Sequence, residues 1–196
     1  MEYCDREIKM IIANYQLTAH ACGGWYHEIQ KERGHTCGVR GRMVRHDSYL
    51  LATGYKAANV AEIPARYRLI TSDNFICWHE LKTSQLWIHH AGAPVTLHVL
   101  EPSDGRYTAF QLGGSPTDVK SHFQVFTEER KWVALTLEPG ATANRPEDYY
   151  ALLGLVFKDP PTAEIEPEPG DLDVMVGMFY RNKDIIRQYA KPEHDP

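Results

Sequence analysis

The chain has 196 residues, of which 43% are hydrophobic and 24% charged, which is typical of one soluble globular domain. Its formal net charge is −5 and its lysines and arginines are scattered, which disfavours nucleic-acid binding. No run reaches the roughly 18 apolar residues that cross a bilayer, and the start MEYCDREIKM lacks the features of a signal peptide.

The cysteines indicate a reducing compartment. They are Cys4, Cys22, Cys37 and Cys77, and no two of them form a CxxC pair. Nothing else in the sequence indicates secretion, so we expect reduced thiols in a cytoplasmic protein.

The first predicted element is an amphipathic helix, with Asp5 as its N-cap. Four apolar residues at helical spacing share one face: Ile8, Ile11, Ile12 and Tyr15. Gly23 and Gly24 then break the chain, and WYHEIQKE is predicted as a strand.

Residues 31–65 form a basic, glycine-dotted stretch with weak periodicity. A loop of this length is uncommon inside a compact domain unless it covers something. We interpret it as an inserted segment, and two alternatives stay open: a disordered loop or a lid over a pocket.

From residue 66 onward the sequence changes to short β-rich runs separated by turn residues. These runs are RYRLIT, NFICWHEL, QLWIHHAG, VTLHVLEP, RYTAFQLG, FQVFTEE, KWVALTLEPG and YYALLGLVFK. Strands spaced about 8–12 residues apart favour an all-β sandwich or barrel. An acidic, proline-studded connector follows, and NKDIIRQYAKPEH is predicted as a closing helix that stops at Pro192.

The order of these elements resembles the cupin superfamily, and specifically the small single-domain group called cupin-5-like. Four stretches carry the resemblance: ANYQLTAHACGGWYHE, ICWHELKTSQLWIHHAGAPVTLHVLEP, KWVALTLEPG and IIRQYAKPEH. The resemblance implies one domain over residues 1–196, folded as a double-stranded β-helix (a jelly roll) with short N- and C-terminal helices. The inner face of such a barrel lines a small-molecule pocket.

Metal-binding cupins place two histidines, a carboxylate and a further polar group on inward positions of their strands. The residues that match these positions here are Cys77, His79, Gln85 and Val133. Only His79 keeps the preferred ligand chemistry, since Gln85 is neutral and Val133 cannot coordinate. We therefore expect a protein that uses neither metal nor other cofactor.

A rebuilt metal site is the alternative. Cys77, His79 and His89 offer one sulfur and two nitrogens, which suit zinc. His89 has the same strand parity as Gln85 and Trp87, so the three side chains should point the same way, whereas His90 has the opposite parity.

Our leading hypothesis is a metal-independent isomerase or cyclase acting on a hydrophobic, carbonyl-bearing small molecule, possibly in secondary metabolism. His79 would be the general acid or base, Gln85 a hydrogen-bond donor to the developing oxyanion, and Glu28 or His89 a second proton carrier. The substrate would contact Tyr26, Cys77, Trp87, Trp132 and Val133.

Two further hypotheses belong to other classes: a metal-dependent oxygenase or isomerase with rebuilt ligands, and a non-catalytic binding module. Since cupins of this size commonly pair through sheet edges, we also expect a homodimer. We expect a small molecule as the remaining partner, with no nucleic acid and no membrane.

Overall fold

A computed structural model of the chain describes residues 2–29, 65–137, 148–158 and 169–190. The helices of this part of the chain are α1 (Glu2–Asn14), α2 (Pro169–Met178) and α3 (Lys183–Gln188), with a 3₁₀ turn at Tyr180–Asn182. The strands are β1 (Thr18–Ala19), β2 (Trp25–Ile29), β3 (Ala65–Thr71), β4 (Ile76–Glu80), β5 (Gln85–Gly92), β6 (Val95–Leu100), β7 (Tyr107–Leu112), β8 (Ser121–His122), β9 (Gln124–Thr127), β10 (Trp132–Thr136) and β11 (Tyr150–Phe157).

The strands form two sheets. One has the order β1-β2-β3-β11-β5-β9 and the other β4-β10-β6-β7-β8. The ladders are antiparallel except for the short β7–β8 pair, which is parallel. Because consecutive strands such as β3, β4, β5 and β6 cross repeatedly from one sheet to the other, the predicted all-β jelly roll with short terminal helices is confirmed.

The core lies between the two sheets. Strands alternate inward and outward side chains, and the inward ones make one apolar cluster that includes Leu97, Val99, Val133 and Leu153. On β10, for example, Val133 and Leu135 join this cluster, whereas Ala134 faces the other side. The barrel interior is therefore mostly aliphatic.

Helices cover the outer faces of both sheets. The face of α1 that carries Ile8, Ile11 and Ile12 packs on Leu69 and Leu152 of the first sheet. The C-terminal helices cover the second sheet, where Met175, Phe179 and Ile186 contact Trp78 and Leu100. These outer clusters explain why both ends of the chain are helical, since each sheet needs a cover for its second apolar face.

The structure differs from the predictions at the chain ends. Helix α1 begins at Glu2, so Asp5 lies inside its first turn and the predicted N-cap is wrong. Helix α2 was not predicted, although Leu172, Met175, Val176 and Phe179 have helical spacing. Helix α3 matches the predicted closing helix but ends at Gln188, before Pro192.

The predicted inserted segment, residues 31–65, lies outside the described residues except for Ala65, the first residue of β3. The alternatives of a lid and a loop therefore both remain predictions. Within the part of the chain that the structure describes, none of the helices is long and apolar enough to span a bilayer.

Candidate functional site

The inward position of His79 on β4 is set by the register of the second sheet. His79 lies opposite Val133 of β10, and Val133 lies opposite Val99 of β6, so the three residues form one row. Cys77 has the same strand parity as His79 and belongs to the interior cluster, 3% exposed. The structure thus brings together Cys77, His79 and Val133, three of the residues that match the metal-ligand positions of cupins.

The imidazole of His79 is held in one tautomer. Its side chain is buried, with 1% exposure, and Nδ1 lies 3.0 Å from the carbonyl oxygen of Cys77. Because a carbonyl can only accept a hydrogen bond, Nδ1 carries a hydrogen, and in the neutral form of an imidazole with this arrangement Nε2 is the nitrogen without one. The hydrogen bond to Cys77 therefore fixes the orientation of the ring.

Gln85, the first residue of β5, is also inward and 2% exposed. It lies between Thr127 of β9 and Phe157 of β11 in the first sheet. Among the described residues, its side-chain oxygen Oε1 has no hydrogen-bond partner. A buried acceptor left unpaired costs about 1–3 kcal/mol of folding free energy, so this position is a candidate contact for a ligand.

Two side-chain hydrogen-bond donors close to Gln85 in the sheet, those of Trp87 and Thr127, already have acceptors. The indole Nε1–H of Trp87 donates to Thr127 Oγ1 at 3.0 Å. The Thr127 hydroxyl in turn donates to the backbone carbonyl of Gln85 at 3.3 Å. This chain of hydrogen bonds fixes the inward face of the β5–β9 pair.

A cleft of about 100 Å³ opens beside this pair at one mouth of the barrel. Its wall combines apolar and charged side chains: Val99, Glu101, Arg106, Thr108, Phe110, Phe126, Thr127 and Lys131. Val99 is in the same row as His79, and Thr127 is the cross-strand neighbour of Gln85. None of these residues was predicted as a site residue, because no motif marks them and the strand order alone brings them together.

The charged side chains at the rim of the cleft take part in ion pairs. Lys131 lies 3.4 Å from a carboxylate oxygen of Glu101 and 3.0 Å from one of Glu128. The hydrogen bond to Glu128 is the main reason that the pKa of Lys131 is raised. Burial alone would raise the pKa of Glu101, but hydrogen bonds from Ser103 and the ammonium of Lys131 outweigh it and lower that pKa.

His89 lies at the other end of β5 from Gln85. Its Nε2–H donates to the carbonyl of Ala93 at 2.9 Å, and its ring packs against Gly113. Four residues along a strand span ~13 Å, so the structure does not bring His89 and Gln85 together. The parity prediction holds, since His89 pairs with the inward Leu153, whereas His90 packs on the outward side against Tyr67.

Glu28 and Tyr26 lie on β2, opposite Arg66 and Arg68 of β3. Glu28 accepts a hydrogen bond from Arg66 at 2.7 Å, so its carboxylate is committed to an ion pair. The guanidinium of Arg68, which is fully buried, lies 5.8 Å from the Tyr26 ring centroid. Strand β2 is three strands from β5, ~14 Å across the sheet, so Glu28 and Tyr26 form a separate cluster.

The two inward arginines of β3 were not predicted, although the sequence indicates them. Arg66 and Arg68 alternate within RYRLIT, and their partners on β11 are Leu155 and Leu153, which belong to the interior cluster. Two arginines at alternating positions of one strand share a face, and here that face is the inner one. Arg66 also lies over the ring of Phe157, 5.1 Å from its centroid.

The tryptophans divide between the two faces. Trp87 is fully buried in the interior cluster. Trp132 and Trp78 pack on the outer face of the second sheet, against the C-terminal helices. Trp132 therefore lies on the opposite side of β10 from Val133, and it is not part of the lining that contains His79.

The donor set does not suit the divalent metal that the resemblance implies. Of the four matching positions, Val133 has no donor atom and Gln85 offers a neutral amide, a weak ligand. The alternative set fails on geometry, since among the described residues no three His, Cys, Asp or Glu side chains form a group that could hold a metal ion. Cys77, His79 and His89 thus do not form one metal-holding group.

A second buried histidine, His98 of β6, was also missed. Its Nδ1 lies 2.8 Å from the hydroxyl of Tyr107 and its Nε2 lies 2.9 Å from that of Thr136. Burial lowers the pKa of His98 to about 4. It lies beneath the C-terminal helices, with its ring 4.9 Å from that of Tyr189. The histidine in the middle of the mostly apolar run VTLHVL was the available signal.

Comparison with known proteins gives one family and several structures. Residues 9–158 match a family described as Cupin superfamily (DUF985). No curated protein matches the chain.

Two of the solved structures that are similar to the chain come from Shewanella oneidensis and Leishmania major. The first is 17% identical, over 94% of this chain and 98% of that one, with a TM-score of 0.64. The second, a hypothetical protein, is 18% identical over the same shares, with a TM-score of 0.66. At these identities the likeness shows a common fold.

Proposed function

The chain belongs to the cupin superfamily, in its DUF985 family, and on that premise we propose that it binds a small, largely hydrophobic organic molecule and transfers a proton within it. The reaction class is isomerisation or cyclisation of a carbonyl-bearing substrate in a biosynthetic pathway. His79 is the base, through Nε2, and Gln85 holds the polar end of the substrate.

The observation that carries this proposal is the fixed tautomer of His79. The Nδ1–H of His79 donates a hydrogen bond to the Cys77 carbonyl at 3.0 Å, which orients the ring so that Nε2 is the nitrogen proposed to take a proton from a substrate carbon. Imidazole as a class exchanges protons near neutral pH, so one oriented ring is enough for a proton shift. Glu28 and His89 take no part in the proposed step, because each is held by its own hydrogen bond and lies away from Gln85.

The test measures deuterium incorporation in D₂O. Wild-type protein is incubated with a panel of cyclic and α,β-unsaturated ketones, and the products are analysed by mass spectrometry. We expect label at the carbon next to the carbonyl, and a loss of roughly 10²–10⁴-fold in rate for His79→Gln. Glutamine keeps an N–H donor for the Cys77 carbonyl but is not a base.

The matched control is His122→Gln, which removes an exposed imidazole on β8. We expect this variant to incorporate deuterium at the wild-type rate. Equal rates for wild type and His79→Gln, with both proteins folded by circular dichroism, would rule out His79 as the base.

A non-catalytic binding protein is the second candidate. It is favoured by one observation: His79 is 1% exposed, and Val133 lies between it and Val99 on the cleft wall. In that case the same ketones raise the melting temperature of the wild-type protein but acquire no deuterium.

A further inference from the structure

The buried amide oxygen of Gln85 indicates which polar group the ligand carries. Gln85 Oε1 is an acceptor without a hydrogen-bond partner among the described residues, in a side chain that is 2% exposed. Buried polar atoms are paired in the great majority of native structures, so an unpaired one needs an explanation. An acceptor in this state is complementary to a hydrogen-bond donor.

Neither of the neighbouring donors can supply that hydrogen. The Thr127 hydroxyl has a single proton, which it gives to the Gln85 backbone carbonyl. The single indole proton of Trp87 goes to Thr127 Oγ1. The side chains of Trp87 and Thr127 are therefore fully used as donors within their own hydrogen-bond chain.

The position of Gln85 places the acceptor next to the cleft. Residues directly opposite in an antiparallel pair point to the same face, with Cβ atoms about 5 Å apart. Thr127 is opposite Gln85 and lines the cleft. Gln85 does not itself line the cleft, so a group that reaches its Oε1 must enter past the side chain of Thr127.

We propose that Gln85 Oε1 accepts a hydrogen bond from the hydroxyl of a small, mostly apolar ligand, namely an alcohol, a phenol or the enol form of a ketone. The apolar body of the ligand lies against Val99 and Phe110 in the cleft. A cleft of about 100 Å³ that is open to solvent admits a single ring or a short chain.

This inference rests on the proposed function, because it assumes that the barrel takes a small organic ligand. It adds a chemical preference to that function. A ketone has no hydrogen to donate, whereas its enol does, so Gln85 stabilises the enol relative to the ketone. The enol forms when the proton that His79 takes from the carbon next to the carbonyl is returned by the protonated imidazole to the carbonyl oxygen, and the enol reverts to a ketone when a carbon takes a proton back.

The test uses phenol and anisole, which share the ring but differ in the hydroxyl hydrogen. The full-length ¹⁵N-labelled chain is titrated with each, and binding is followed through the indole N–H signal of Trp87, identified with Trp87→Phe. We expect phenol to bind the wild type about tenfold or more tightly than anisole.

Gln85→Met removes the acceptor while keeping the length of the side chain, so it should bind both probes equally. It should also raise the melting temperature of the ligand-free protein, because the unpaired acceptor is gone. Gln124→Met, an exposed position on β9, is the matched control. It should keep the preference for phenol and the wild-type melting temperature.

Absence of phenol binding to the wild type, or equal binding of phenol and anisole, overturns the inference. So does a preference for phenol that survives in Gln85→Met, or a lower melting temperature of that variant. These results do not depend on deuterium transfer by His79, so a failure of the donor preference is distinguishable from a failure of the proposed proton transfer.

Discussion

At the scale of single residues, two buried polar side chains differ in whether their polar atoms have hydrogen-bond partners. His98 satisfies both ring nitrogens through the hydroxyls of Tyr107 and Thr136. Gln85 leaves Oε1 without a partner among the described residues. A polar group that is buried with its partners holds a fold in one arrangement, whereas one without them is a candidate for ligand contact. We therefore assign a structural role to His98 and propose a binding role for Gln85.

The role of His98 predicts a pH dependence of stability. The unfolded chain takes up the imidazole proton as pH falls through 6.5, whereas the lowered pKa of about 4 keeps the folded chain neutral. The unfolded state then binds more protons in this window, so the free energy of unfolding falls from pH 6.5 to pH 4, by about 3 kcal/mol in total. Urea unfolding at several pH values measures this decline.

His98→Asn isolates the contribution of this one residue. The variant should be less stable at pH 7 by about 1–3 kcal/mol, because it disturbs the contacts with Tyr107 and Thr136. Its stability should fall less steeply than that of the wild type below pH 6.5. Parallel curves for the two proteins would contradict the assignment.

At the scale of elements, the C-terminal helices are a structural part of the barrel. Their apolar residues cover Trp78, Leu100 and Ala134 on the outer face of the second sheet. Trp78 also donates its indole hydrogen to the carbonyl of Ile185 at 3.3 Å. Since β4 carries Trp78 on its outer side and His79 on its inner side, these helices also fix the strand that carries the proposed base.

Ile186→Ala tests this role of the helices. Ile186 is fully buried, so its truncation leaves a cavity and should lower the free energy of unfolding by about 2–4 kcal/mol in urea. Val174→Ala on α2 is the control, because Val174 is 58% exposed and its truncation should change stability by less than about 0.5 kcal/mol. Similar small effects for both variants would mean that the helices are not packed as described.

At the scale of the whole molecule, β9 lies at the edge of its sheet among the described strands and pairs with β5 on one side. Two aromatic side chains near it are solvent-accessible, Phe123 at 43% and Phe126 at 62%. Edge strands with exposed apolar residues tend to associate. We propose that the chain forms a homodimer through this edge.

Light scattering coupled to size exclusion measures the mass directly. We expect twice the 22.4 kDa of one chain for the wild type and one chain for Phe123→Glu. Met10→Glu, a change on the exposed side of α1, should remain dimeric. A wild-type mass of one chain would exclude the dimer.

The sequence by itself determined the fold and the chemistry of the inner positions. The alternation of side chains along a strand puts Val133 and Trp132 of KWVALTLEPG on opposite faces, but both were predicted to contact the substrate, and the structure places Val133 inside and Trp132 outside. The QLWIHHAG run coincides with β5 from end to end. The resemblance to cupins implied the inward direction of His79 and Gln85, and parity gave Trp87 the same face as Gln85.

Only the tertiary structure decided which inward residues are neighbours. Parity gives the face of a side chain but not its distance from others, which depends on register and on strand order across two sheets. That is why His89 and Glu28, predicted beside His79 and Gln85, lie elsewhere, each held by its own hydrogen bond. For the same reason, the sequence did not show that Thr127 and Phe157 are the cross-strand neighbours of Gln85. They are its neighbours because β9 and β11 lie on either side of β5.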